Sequence, residues 1–197
     1  MANVTSVGAR ARLLSLVRGP TAAPRVPPYP DGMRRTSFAD WPCSIARTMD
    51  LLGDWWTPLV LREAFYGITR FDVFQQELGI ARTTLAERLR RLVDEGLMEK
   101  RAYQTEPVRH DYVLTEKGRD FFGVLAAMNA WGNRWLAGDE GAPVVFEHDR
   151  CGHVAEPAVV CADCGEPMTA ADTRPRMGPG YPRRLAERPD VRARFTS

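Results

Sequence analysis

From residue 41 to residue 136 apolar positions recur at helical spacing, punctuated by glycine. Ile45, Met49 and Leu52 mark one helix face, and Gly53 ends that segment. Asp54 is placed to cap a second helix through Trp56, Leu59, Val60, Ala64 and Phe65, closed by Gly67. Thr69 is placed to cap a third, short helix with Phe71, Phe74 and Leu78 inward, and Gly79 then turns the chain sharply. A fourth helix runs from about Arg82 to Glu95. Its apolar stripe is Leu85, Leu89, Leu92 and Val93, and its opposite face carries Arg82, Thr83, Thr84, Glu87, Arg88 and Arg91.

The period then changes. Leu97 to Tyr103 alternates apolar and polar as a half-buried strand does, Gln104 to Val108 contains Pro107 and reads as a turn, and Arg109 to Leu114 alternates again. That is a hairpin. Thr115 caps a long last helix, from about Glu116 to Leu136, bearing Phe121, Phe122, Leu125, Met128, Trp131 and Trp135. Three helices, an amphipathic helix with a basic outer face and a two-stranded hairpin follow the order of a winged helix-turn-helix. The expected fold class is mainly α with a small β-hairpin (α+β), over residues 36–142.

This order gives the basic face a use. Leu78–Gly79–Ile80–Ala81 leaves room only for a sharp turn between the third and fourth helices. With the leucine stripe packed inward, the other face is free to enter a DNA major groove, where arginine pairs with guanine and threonine meets a thymine methyl. Arg82, Thr83, Thr84 and Arg88 are the expected base contacts. Arg91, and Arg109 near the hairpin tip, are the expected phosphate contacts.

Composition changes this picture only through its distribution. The 197 residues are 44% hydrophobic and 26% charged, as in an ordinary globular protein, and the net charge is only +2. Yet residues 1–35 carry a net +5, residues 174–197 another +5, and the body between them −8. Basic ends attract nucleic acid or acidic surfaces, or stay as solvated tails. Val26 to Gly32 holds three prolines, so 1–35 reads as a disordered basic extension, with Met33 an alternative start. Residues 174–197 read as a basic C-terminal tail. No run of 18 apolar residues occurs, so no membrane span and a cytoplasmic location are expected.

The stretch Cys43 to Gly118 resembles the HxlR-type family of bacterial winged-helix regulators. The shared landmarks are Cys43, Gly53-Asp54-Trp55-Trp56, Arg70-Phe71, Leu85, Arg88, Leu89 and Leu92, Glu95-Gly96-Leu97, and Pro107-Val108-Arg109 through Tyr112, Leu114-Thr115 and Gly118. The resemblance implies a homodimer on a roughly palindromic DNA operator, with the last helix contributing to the dimer. Three positions depart from the family pattern. Ala81 stands where a serine usually caps the recognition helix, leaving Thr83 or a Thr84–Glu87 capping box as substitutes. Thr83 stands where a basic residue is usual, with Arg82 one place earlier. His110 replaces an apolar residue of the second strand.

Four cysteines are too few for a disulfide scaffold. Cys43 precedes the first helix, and helix N-termini favour thiolates, so it is either a small buried residue or a redox sensor. Some family members sense oxidants or electrophiles at this position, which makes a redox or small-molecule effector an expectation. The other three lie in two similar knuckles, His148-x-x-Cys151-Gly152 and Cys161-x-x-Cys164-Gly165. Together they offer Cys₃His ligation for a structural Zn²⁺ in a zinc-ribbon-like module, residues 143–173. His153 is a rival fourth ligand. Reduced thiols in a vestigial ribbon and a Cys161–Cys164 redox pair are the alternatives.

The expected function is a DNA-binding transcriptional regulator. The alternative is a winged-helix and zinc-ribbon interaction module of the transcription machinery without operator specificity. An enzyme is not expected, because His110, His148 and His153 form no plausible triad and no glycine-rich phosphate loop is present.

Overall fold

The computed structural model describes residues 37–196; the expectations for the N-terminal extension and for Met33 fall outside them. Four helices come first: α1 (Ser44–Leu52), α2 (Trp56–Phe65), α3 (Phe71–Leu78) and α4 (Arg82–Asp94). Asp54 caps α2 as expected, its Oδ1 accepting from the amides of Trp56 at 2.9 Å and Thr57 at 3.2 Å. Thr69 does not cap α3. Its hydroxyl donates instead to Asp111 Oδ1 at 2.9 Å, tying the start of α3 to the hairpin. Gly79 takes the left-handed conformation and turns α3 into α4, whose N-cap Ala81 makes no side-chain bond.

The leucine stripe does what its spacing implies. Leu85, Leu89 and Leu92 are buried with Leu52, Val60, Leu61, Phe74, Ile80, Leu97 and Met98 in one core. Each such side chain contributes about 1.5–3 kcal/mol of burial. Strands β1 (Met98–Thr105) and β2 (Val108–Leu114) pair antiparallel, with Met98 opposite Leu114 and a register shift between Ala102 and Gln104. Only the base of this hairpin reaches the core, where Tyr112 is half-buried and burial raises its phenol above the ordinary value.

The two ends of the hairpin are clasped together. Thr115 donates its amide to Leu97 O at 3.0 Å and its hydroxyl to Gly96 O at 2.6 Å, and Lys117 Nζ donates to Glu95 O at 2.6 Å. Thr115 Oγ1 also accepts from the Gly118 amide at 3.1 Å, capping α5 (Glu116–Asp120). Gly118 is buried, and a Cβ placed on it would stand 2.0 Å from Leu97 O. The backbone of the new helix thus passes where only glycine fits.

The long helix expected after Thr115 is divided. Its first turn is α5; the chain bends at Phe121 and continues as α6 (Phe122–Leu136). After α6 comes a small hairpin, β3 (Phe146–His148) with β4 (His153–Ala155), and then a second turn closed by the Val160–Pro167 bridge. This segment lies along α6. Asn133 Nδ2 donates to Val144 O at 2.8 Å, Arg134 pairs with Glu156 at 2.7 Å, and Phe146 stacks at a tilt on Phe122, 5.5 Å between centroids.

Part of the expected tail is ordered as helix: α7 (Arg183–Ala186), α8 (Pro189–Arg192) and a 3₁₀ turn (Ala193–Phe195). Val191 is buried and Tyr181 meets Phe195 edge-on at 5.5 Å. With Leu185 these anchors form two i, i+4 pairs, Tyr181–Leu185 and Val191–Phe195, each too short to stand out in a stretch otherwise dominated by arginine and proline.

Gly118→Ala should lower the unfolding free energy by about 3 kcal/mol, because the methyl meets a fixed carbonyl. Gly123→Ala, in open space on α6, should raise it by about 0.5 kcal/mol. Urea denaturation followed by circular dichroism measures both.

Candidate nucleic-acid interface

Helix α4 turns its apolar stripe inward, which fixes what faces out. Arg82, Thr83, Ala86, Glu87 and Arg90 are exposed, while Thr84 is half-buried. Arg82, at the first turn, lies over the Phe71 ring, with its guanidinium carbon 4.9 Å from the centroid. It shares a cleft of about 450 Å³ with Arg109, His110 and Tyr103 of the hairpin. The exposed start of α4 and the hairpin therefore face a common space, the arrangement by which a helix and a wing address one duplex. Arg70 is held beside it, 4.0 Å over the Tyr103 ring and 3.6 Å from Asp111.

Two expected contact residues are placed elsewhere. Arg88 Nε lies 2.5 Å from Asp54 Oδ2, and the two side chains are only 16% and 21% exposed. The guanidinium is thus spent on the residue that caps α2. Arg91 Nη2 donates to Asp50 O, a carbonyl in the last turn of α1, where a cation is favoured by the helix dipole. At about 100° per residue, Arg88 sits about 60° from Leu85, on the flank of the buried stripe rather than opposite it. Arg90 is not among the expected contacts, yet it lies about 140° from Leu85 and is exposed. His110 is exposed on the wing, opposite Ala102.

Cys43 occupies the N-cap position of α1 and is exposed. The C-terminal helices lie next to it: Cys43, Trp41 and Arg47 line a cleft of about 640 Å³ with Arg176, Tyr181, Arg188 and Arg194. One of these cations is engaged, since Arg188 bonds Asp190 at 2.8 Å and holds its carboxyl below the usual carboxylate range. All four cysteines are free thiols.

The two knuckles each form. His148 Nδ1 is 3.4 Å from Cys151 Sγ across the turn of β3 and β4. In the second, backbone hydrogen bonds from Cys164 and Asp163 to Cys161, with a third from the Cys164 thiol, hold the Cys161 thiol below its ordinary value. Among the described residues, no three His, Cys, Asp or Glu side chains converge on one point. The four expected ligands stand as two pairs.

The HxlR-like helix-turn-helix family model matches residues 51–140, from the end of α1 to just beyond α6. An uncharacterised HTH-type transcriptional regulator of Mycobacterium tuberculosis is 44% identical over 143 residues, which span 73% of this chain and 90% of that protein. The crystal structure of PA1607, a transcription-factor candidate, superposes with a TM-score of 0.66 at 36% identity, covering 73% of this chain and 100% of that one. A second such candidate, PA1374 from Pseudomonas aeruginosa, is also 36% identical, with a TM-score of 0.51 over 77% of this chain and 99% of its own. With its turn, outward helix and wing in the family's order, and with these relatives matched over nearly their whole length, the chain belongs to the HxlR-like helix-turn-helix family.

Proposed function

We propose that this protein is a transcriptional regulator that binds a palindromic DNA operator as a homodimer in the bacterial cytoplasm. The observation that carries the reading is the joint cleft of Arg82 and Arg109, which sets the exposed start of α4 beside the wing. Arg82, Thr83 and Thr84 reach base edges; Arg90 and Arg109 meet phosphates. Arg88 and Arg91 hold α4 against α1 and α2 so that this face is presented in one orientation. Membership of a family of DNA-binding regulators favours this over an interaction module without operator specificity.

The second copy covers apolar surface that this chain leaves open. Trp131 and Trp135 of α6 are 59% and 68% exposed, Met128 lies on the same helix, and Ile45 and Met49 project from α1. Side chains this large usually mark an interface when grouped. Cys43 is the site at which an oxidant or electrophile acts, because it is an exposed thiol at the start of α1 in a cleft lined by arginine.

Binding to DNA from upstream of the protein's own gene tests the interface by fluorescence anisotropy over a salt series. Arg82→Ala and Arg109→Ala should each weaken binding, and each should reduce the log–log salt slope by about 0.9 if its contact is a phosphate; an Arg82 base contact instead shows as relaxed sequence preference. Arg88→Ala should instead cost about 1–3 kcal/mol of stability, between the values for surface and buried ion pairs. Unchanged DNA binding in both Arg82→Ala and Arg109→Ala would refute the assignment.

Sedimentation equilibrium should find a dimer that Trp131→Glu converts to a monomer with unchanged helix content. A wild-type monomer at micromolar concentration would remove the dimer from the reading. Diamide treatment should weaken DNA binding in the wild type and leave Cys43→Ser unaffected; equal loss in both places the sensitivity on another thiol.

A further inference from the structure

The segment 143–173 has almost no core of its own. Every residue in it is exposed except Phe146, Pro157 and Cys161, which are half-buried. Thirty-one residues with so little apolar burial do not hold a fixed shape by packing alone. Yet the segment contains two well-formed tight turns of the same design. Each places a ligand-type side chain at its first and fourth positions and a glycine at its fifth. Gly152 and Gly165 have φ of 67° and 77°, the left-handed region that this turn requires. The backbone bonds match as well: Gly152 N donates to His148 O and Gly165 N to Cys161 O, both at 2.8 Å.

Within each turn the two side chains approach one another. His148 Nδ1 and Cys151 Sγ are 3.4 Å apart. In the second turn the hydrogen bonds aimed at Cys161 place positive dipoles around a sulfur, as is favourable for a thiolate bound to a cation. The bases of the two turns are rooted side by side on α6: Glu156, Val159, Pro167 and Met168 line one groove with Trp131 and Arg134. Only Pro157 and Ala158 separate Glu156 from Val159 in the chain. The two pairs are thus carried on adjacent hairpins anchored to the same stretch of helix.

We propose that residues 143–173 form a structural zinc site in which His148, Cys151, Cys161 and Cys164 close on one Zn²⁺. Three thiolates and one imidazole complete a tetrahedron, so no position is left for a reacting water. The ion supplies the cross-link that the missing core cannot, and it fixes the two hairpins to each other on the face of α6. Binding releases the thiol protons and involves no electron transfer. His153 pairs with His148 in the β3–β4 register but lies beyond the glycine of the turn, outside the four-residue frame that brings ligands together.

Elemental analysis of the untagged full chain, purified without chelator, tests the site. One zinc per chain is expected. Replacing it with Co²⁺ should give the visible bands of tetrahedral cobalt with thiolate-to-cobalt charge transfer. Cys161→Ser and His148→Ala should each weaken zinc retention against a chelator at least tenfold, while His153→Ala leaves it unchanged. Helix content by circular dichroism should persist in all three, since α1 to α6 do not depend on the ion. Less than about 0.2 zinc per chain, with all four thiols of the native protein reactive, overturns the proposal. Zinc that survives loss of either pair overturns the single shared site. Loss in His153→Ala with retention in His148→Ala overturns the ligand set.

Discussion

The fold turns on one close approach. The backbone at Gly118 runs so near the Leu97 carbonyl that no side chain can stand between them. That approach closes the wing at its base and fixes where the chain leaves it. Leu97 follows directly from α4, and Gly118 lies in the helix that leads to α6. A single contact thus sets the recognition helix, the wing and the long α6 helix relative to one another. Thr115 secures the contact by bonding both strands of the junction, capping α5 and gripping Gly96 with one hydroxyl. Removing that hydroxyl would leave both an orphan helix amide and an unpaired carbonyl at the same place.

The winged helix was legible because its core is made of strictly periodic positions. Leu85, Leu89 and Leu92 declare their face by spacing, and the glycines at 53, 67 and 79 mark where helices stop. The assignment of polar positions was less legible. Arg88 and Arg91 look like members of a basic outer face when charges are merely counted. Measured from Leu85, Arg88 lies about 60° round the helix, on the flank of the stripe and within reach of Asp54; Arg91 lies about 120° round, and it is engaged only because the end of α1 packs on that side. Long side chains bend back to find partners that distance along the sequence conceals. Thr69 has the residue type of a cap, yet Asp111, 42 positions away, is the better partner. The C-terminal helices were hidden because their apolar spacings, Tyr181 to Leu185 and Val191 to Phe195, are single turns set among arginine and proline.

The charge arrangement also takes a clearer form. Of the basic groups on α4, two are engaged with the body of the protein and two, Arg82 and Arg90, remain exposed. Glu87 lies on the same exposed side and is 3.4 Å from Arg88. A face with so few free cations and one carboxylate attracts polyanions weakly for its size.

The bond from Arg91 to the Asp50 carbonyl gives α1 a mechanical role. The helix is nine residues long, about 13 Å from end to end. Its far end carries Cys43 against the C-terminal helices; its near end is gripped by the recognition helix. One short helix therefore joins the cleft that holds Cys43 to the recognition helix, so the surroundings of that thiol and the seat of α4 are fixed by the same element.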